Sequence, residues 1–347
     1  MVTPNPASSP KRWLVRWVRV LGLTLAPITL ASGAAWIVCA SMPGASWSGA
    51  PSPASEGQRA LSEELRATVE ALCQHGERNL EHPAALEHAV ELLKPRLAAS
   101  GREVSVEAFD CGGATATNLF VDLPGRSSEL VVVGAHYDTA RGSPGANDNA
   151  SGVAALCALA RRFADRSMPR ALRFVAFANE EPPRFRTELM GSRVHAARAK
   201  ERGERVVAML ALETLGCYSD AAGSQRYPIG LLSLAYPTRG DFVAFVGDLG
   251  SRSLVRDCVR AFREHARIPS EGAALPAWIP GVDWSDHASF WPHGVPALMV
   301  TDTAVFRDPH YHRASDTPEK LDYGRLALVV EALERVIAAQ AGATDLR

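Results

Sequence analysis

Short apolar runs that alternate with helix-length segments constrain this chain more than any other feature. Leu130 to Gly134, Ala171 to Ala178, Val206 to Leu212 and Val295 to Thr301 read as strands buried on both faces. Asp241 to Val246 reads as a further strand, and Val104 to Phe109 and Asn118 to Val121 as strands ahead of the series. Helical patterns run through Ser62 to His75, Pro83 to Ser100, Ser151 to Phe163, Gly191 to Lys200 and Arg252 to Ala266, and Asp322 to Gln340 closes the chain. Alternation of this kind predicts an α/β domain, its largely parallel sheet covered by helices on both faces. Ligands of such sheets bind beyond the carboxyl ends of the strands.

The N-terminus follows different rules. Lys11, Arg12, Arg16 and Arg19 precede Leu21 to Met42, a stretch without a charge. About 20 apolar residues cross a bilayer as a helix, and positive charge ahead of the span keeps that end in the cytoplasm. Cleavage as a signal peptide, at small residues between Cys39 and Ser46, is the competing expectation. The expected organisation is a basic cytoplasmic segment (1–20), a transmembrane anchor or signal (21–42), a flexible linker (43–60) and a catalytic domain (61–347). The linker assignment rests on Trp47 to Gln58, which is small, polar and Pro-containing. The catalytic domain is then expected outside the cytoplasm, periplasmic or extracellular. It is held to the membrane by its N-terminal segment, or secreted if that segment is cleaved.

A net charge of −1 gives no electrostatic footprint for nucleic acid. Export permits disulfides, and Cys73 with Cys111 is one pairing the spacing allows, although sequence does not set connectivity. Cys157 lies in an apolar helical run and reads as a buried thiol. There is no Cys-x-x-Cys, so a thiolate zinc site is not indicated, and no G-x-S-x-G, so a serine hydrolase is not either.

Metal-competent side chains gather at the strand ends. The first strand ends at His136-Tyr-Asp138, and Asp148 opens the helix that follows. The second ends at Asn179-Glu180-Glu181, the third at Glu213, and the late strand leads into Asp308-Pro-His310-Tyr311-His312 and Asp316. Singly, each has an ordinary reading: a structural histidine, a helix N-cap, a solvated acidic turn. Jointly they occupy one edge of one sheet. Zinc takes imidazole and carboxylate ligands, and a pair of zincs about 3.5–4 Å apart shares a carboxylate. The strand ends supply the histidines and carboxylates for two such sites, with a carboxylate left over as general base.

HYDTARGSPGANDNASG, FANEEPPRFRTELMGS and PHYHRASDTPEKLD, in this order and spacing, resemble the M28 zinc metallopeptidases, co-catalytic dizinc aminopeptidases, from about Leu61 to the C-terminus. The resemblance implies a three-layer α/β/α fold of zinc-exopeptidase type with a mixed, mostly parallel sheet. It implies two zinc ions per chain and peptide substrates with a free N-terminus. By resemblance His136 and Glu213 hold the first metal, Glu181 and His312 the second, and Asp148 bridges them. Asp138 orients His136 through its other ring nitrogen, and Asp316 supports the site from behind its ligands. Glu180 is the general base, and Tyr311 polarises the substrate carbonyl. His312 is preferred over His310 because H-x-x-x-D-T spacing fits it alone. Glu213 departs from the aspartate that several members carry there. His287 is expected to be structural or at the pocket rim, and His195 and His265 to be ordinary helix residues. Pro182 to Leu189 and Cys217 to Arg239 are expected to form the rim and a lid. Arg184, Arg186 and Arg239 are read as surface arginines. Two other functions remain open: a glutaminyl-cyclase-like acyltransferase holding one zinc with Asp148, Glu181 and His312, and a binding ectodomain without metal.

Overall fold

The computed structural model describes residues 13–14, 33, 39–49 and 53–343. The chain divides into two compact units, Met1–Ser41 and Met42–Arg347. The expected basic segment and the apolar segment 21–42 lie almost wholly outside the described residues. Among the described residues no helix is long and apolar enough to cross a membrane.

The second unit is built on an eight-stranded sheet of order β1-β2-β4-β3-β5-β10-β8-β9. Its strands are β1 (Ser105–Asp110), β2 (Thr115–Leu123), β3 (Glu129–His136), β4 (Ala171–Phe177), β5 (Arg205–Glu213), β8 (Val243–Gly247), β9 (Ser270–Ala274) and β10 (Ala297–Thr301). The central strands β4, β3, β5 and β10 run parallel, and antiparallel pairs β1–β2, β2–β4 and β8–β10 make the sheet mixed. A ribbon of β6 (Ser219–Ala222) and β7 (Arg239–Gly240) stands apart.

Helices cover the sheet unequally. Helices α1 (Glu56–Cys73), α2 (Pro83–Ala98), α3 (Gly152–Arg162), α5 (Arg252–His265) and α6 (Tyr323–Gln340) close one face over Val131, Val133, Leu210, Phe245 and Val300. The opposite face packs Val132, Val175, Met209 and Ala211 against α4 (Gly191–Glu201) and the turns around Phe290. A strand's side chains alternate between faces. His136 and Glu213 therefore fall on this second, less covered face, in step with Val132 and Ala211.

Four expectations need correction. The first part of the expected linker, residues 43–46, is docked rather than free. Arg263 donates to the carbonyls of Pro43 (3.2 Å) and Gly44 (2.9 Å), and the Ser270 N–H donates to Ser46 Oγ (2.8 Å), which pins the segment against the outer strand β9. Helix α1 starts at Glu56 rather than near Ser62, because Ser55 caps it reciprocally with Gln58. Cys73 and Cys111 are free thiols. Asp148 does not open a helix: its φ of −111° and ψ of 90° are non-helical, and α3 begins at Gly152.

Candidate metal centre

Two groups of donor atoms lie beyond the carboxyl ends of the parallel strands: His136, Asp148 and Glu213, and Asp148, Glu181 and His312. In the first group His136 Nε2 is 3.3 Å from Asp148 Oδ1 and 3.2 Å from Glu213 Oε2. In the second, His312 Nε2 is 3.0 Å from Asp148 Oδ2 and 3.1 Å from Glu181 Oε1. Asp148 thus offers one oxygen to each group. Ligand atoms at zinc's usual ~2.0–2.1 Å in a tetrahedron lie about 3.3 Å from one another. The spacings here match that edge.

Hydrogen bonding supports the same reading. His136 Nε2, both Asp148 carboxylate oxygens, Glu181 Oε1 and His312 Nε2 are buried with no hydrogen-bond partner. A buried polar atom without a partner is unfavourable, and here five converge. A cation in each group satisfies all of them, so the donor set fits zinc.

The protonation balance has the same cause. Burial alone would lower the affinity of His136 for a proton, but Glu213 and Glu180 beside it raise its pKa well above the ordinary value. Burial raises Glu180 well above the carboxylate range, and it raises Glu181 to about 8 with the help of the Asp148 charge. Glu213 is raised too, again by burial first. His312, despite burial, is pushed up to about 10 by the Asp148 and Glu181 carboxylates beside it. Asp148 is held low in spite of its burial, because both histidines lie against it. Crowded carboxylates without a counter-charge hold protons, and divalent ions would displace them.

Neighbouring elements fix each ligand. The Asp316 carboxylate accepts from the backbone N–H groups of Asn147 (2.8 Å) and Asp148 (3.1 Å). It therefore supports Asp148 directly. Asp138 differs from expectation. Its carboxylate accepts from the N–H groups of Glu180 (3.0 Å) and Glu181 (3.1 Å), setting the turn that carries both. His136 Nδ1 lies 3.2 Å from the Asp138 backbone oxygen and 3.6 Å from its Oδ1, so the main chain orients the ring. Ser285 donates to Glu213 Oε2 (2.8 Å), leaving the longer acidic side chain at this position braced against the 3-10 turn that follows.

Glu180 belongs to neither group. It is buried, with Oε2 3.9 Å from His136 Nε2. Tyr311 stacks on His312, ring centroids 3.9 Å apart, and borders the cleft beside Glu213. Burial and the acidic cluster raise its phenol well above the usual range. His310 turns away to Ser315 Oγ (2.9 Å). His287 bonds the Val282 carbonyl (2.8 Å) and is lowered by burial to about 4, a structural residue. His195 is a core residue, its Nδ1 2.9 Å from Glu107, and His265 is exposed. Arg184 donates to the Cys111 carbonyl and Arg186 pairs with Asp283.

Several supporting residues carried no local signal. Asn147 donates to Asp302 (3.0 Å) and Asp308 (2.9 Å) and accepts from the Gly216 N–H (2.8 Å). Asn149 accepts from the N–H groups of Gly152 and Thr214 and donates to the Leu212 carbonyl. The two asparagines flanking Asp148 are therefore cross-braces to the ends of β5 and β10. Only their placement around an aspartate in an Asn-Asp-Asn run hinted at this.

Comparison with known proteins agrees with the geometry. The description "Peptidase family M28" matches residues 118–337. The chain is 38% identical over 288 residues to the uncharacterized protein YfbL of Escherichia coli (strain K12), covering 80% of this chain and 88% of that one. It is 30% identical over 283 residues to a probable leucine aminopeptidase of Trichophyton verrucosum, covering 76% of this chain and 69% of the relative. The fold is shared with an aminopeptidase from Aneurinibacillus sp. strain AM-1, with a TM-score of 0.61, 17% identity and coverage of 80% and 93%. It is also shared with a Porphyromonas gingivalis glutaminyl cyclase, with a TM-score of 0.60, 17% identity and coverage of 80% and 98%. With its central sheet, its strand-end site and most of its length accounted for in this way, the chain belongs to peptidase family M28.

Proposed function

We propose that the chain is a dizinc aminopeptidase that hydrolyses the N-terminal peptide bond of its substrates. One observation carries this reading: Asp148 directs one oxygen into each of two complete donor groups. A single-zinc acyltransferase needs only the second group, and the first would then be a buried cluster without purpose.

His136, Asp148 and Glu213 would hold one zinc, and Asp148, Glu181 and His312 the other. Bound there, zinc would supply Lewis acidity toward a water molecule and the scissile carbonyl. Glu180 lies beside the first group without belonging to either. Buried and raised in proton affinity, it accepts a proton from the attacking water and returns it to the leaving amine. Tyr311 keeps its proton and directs it toward the substrate carbonyl oxygen, where negative charge grows in the transition state. The carboxylate-rich floor attracts the substrate's free ammonium, which selects the chain end over internal bonds.

The apolar segment 21–42 is proposed as the membrane anchor, placing the body outside the cytoplasm, or as a cleaved signal. The hydropathy of the sequence supports this.

Metal content of the purified chain, measured with hydrolysis of leucine p-nitroanilide before and after chelation, tests the reading. Near two zincs per chain, with activity lost on chelation and restored by zinc, is the expected result. One zinc, no amidase activity and cyclisation of an N-terminal glutamine peptide would replace it with the cyclase reading. Absence of metal and of both activities after zinc addition would favour a binding module.

A further inference from the structure

The register of the sheet links the metal centre to a second acidic group that the reaction does not use. Glu213 pairs with Thr301, Thr301 with Ala244, and Ala244 with Glu271. Residues paired across a sheet share a face, so these form one transverse row over β5, β10, β8 and β9. Three strand spacings of ~4.8 Å put Glu271 about 14 Å from the Glu213 backbone.

A cleft open at its mouth runs along this row, and both Glu213 and Glu271 line it. Its floor is small or apolar, with Ala244, Val246 and Met299. Its walls are aromatic, with Tyr227, Tyr236, Trp284 and Phe306. Part of the loop Cys217 to Arg239 expected to form a rim, Gln225 to Pro228 with Leu232 and Tyr236, supplies one side.

Glu271 is poorly matched where it stands. Arg263 approaches it no closer than 3.7 Å, and Arg226, at the exposed edge of the same cleft, makes no ion pair with it. The Arg263 guanidinium is already engaged by the Ser270 carbonyl (2.8 Å) and the Pro43 and Gly44 carbonyls. Burial and the Asp241 charge raise the proton affinity of Glu271, and Arg263 only partly opposes them. An apolar, aromatic channel that begins at the metal ligands and ends on an under-neutralised carboxylate suits one class of side chain. It must have a long apolar stem and a cationic end, as lysine and arginine do. Aromatic walls add attraction for that cation. A leucine side chain would fill only the part nearest the metals.

We infer that this cleft receives the side chain of the substrate's N-terminal residue and that Glu271 at its far end selects lysine or arginine there. The inference rests on the aminopeptidase reading for its chemistry, but not for its binding.

The test uses the full zinc-loaded chain and a panel of aminoacyl p-nitroanilides: lysine, arginine, norleucine, citrulline and leucine. Norleucine and citrulline match the length of the basic residues without their charge. The expected result is kcat/KM at least ~10-fold higher for lysine over norleucine and for arginine over citrulline, the scale of one tenfold step per ~1.4 kcal/mol. Glu271→Gln and Glu271→Ala should collapse both ratios toward one. Because each ratio is taken within one preparation, partial loss of folded protein does not mimic the effect. Norleucine or leucine preferred over the basic residues, or ratios unmoved in both variants, would overturn the assignment. Calorimetric binding of lysinamide against norleucinamide to the Glu180→Gln chain keeps the two readings apart. If no anilide is cleaved, the aminopeptidase reading fails, and tighter binding of lysinamide would still uphold the cleft. Equal binding of the two amides would overturn it.

Discussion

Replacing Arg78 by methionine should damage this enzyme more than removal of any exposed arginine. Arg78 is 1% exposed, in the turn after α1. Its guanidinium donates to the carbonyls of Tyr137 (3.0 Å), Leu72 (3.1 Å), Pro144 (2.6 Å) and Gly145 (3.0 Å). Tyr137 lies between His136 and Asp138, and Pro144 and Gly145 lead into the loop that carries Asp148. One side chain therefore ties together two of the three segments that deliver the first donor group, those of His136 and Asp148. Methionine keeps the stem and leaves four buried carbonyls without a donor. At about 1–3 kcal/mol each the gross loss is roughly 4–12 kcal/mol. Relief from burying a guanidinium returns several kcal/mol. The expected net cost is about 3–5 kcal/mol, a large part of an ordinary domain's stability of about 5–15 kcal/mol. Urea denaturation of zinc-loaded and zinc-stripped protein measures it. Competition with a chelator should show zinc affinity lowered by about 10–100-fold, the usual effect of losing a group that holds ligands in place. Arg78→Lys retains the charge but not the reach to four acceptors, and should fall between. A loss under about 1 kcal/mol for Arg78→Met, with zinc affinity unchanged, would refute the reasoning.

Glu180→Gln preserves shape and removes the proton acceptor, so kcat should fall by about 10²–10⁴-fold while zinc content stays at the parent's value. Loss of zinc in this variant would mean that Glu180 is a ligand. His312→Ala should release one of two zincs and His310→Ala neither, read by metal analysis after dialysis. Asp316→Ala frees the N–H groups of Asn147 and Asp148, and zinc affinity should drop by about 10–100-fold without loss of a ligand. Acid should weaken the fold through Glu107. Despite burial, its bonds to His195 and Asn118 lower its pKa from 4.5 to about 2. A carboxylate depressed in the folded state stabilises above its unfolded pKa, and that contribution is lost as pH falls from about 4.5 through 2. Allowing for solvent screening, it amounts to about 2 kcal/mol. Glu107→Gln should flatten this part of the stability profile in urea titrations between pH 5 and pH 2.5, conditions chosen on the scale of that shift. An unchanged profile would count against the pairing.

What could be read from the sequence was whatever is encoded locally. Buried strands such as Leu130 to Gly134 announce themselves by uniform apolarity, and the residues that end them were placed at the site by one rule about strand ends. What could not be read depends on partners distant in the chain. Asn147 is braced by Asp302 and Asp308, more than 150 residues away. Arg78 sits in a polar turn and looks like any surface arginine until the chain folds around it. Segment 43–46 has a linker's composition and is fixed by Arg263 and Ser270 more than 200 residues on. β9 is Ser-Glu-Gly-Ala-Ala, with no hydrophobic alternation, and is a strand only because β8 offers it an edge.

Glu271 shows most clearly why register matters more than composition here. In its own neighbourhood it is a charged residue on an edge strand, where charge is ordinary and discourages aggregation. Pairing through β8 and β10 sets it in line with Glu213, and the pocket side of that line is apolar. Sliding β9 by one residue would turn Glu271 to the opposite face, onto the side of Val259 and α5, and bring Gly272 into the row instead. Gly272 argues that this slip is excluded: a Cβ there would lie 2.8 Å from both Met42 and Val259, so the opposite face has room only for glycine. The packing that fixes the docked N-terminal segment thus also fixes which way Glu271 points. A Gly272→Val substitution, which forces Met42 off β9, should therefore lower the lysine-to-norleucine ratio together with stability, while a Met42→Ala change, which leaves the register intact, should lower stability alone.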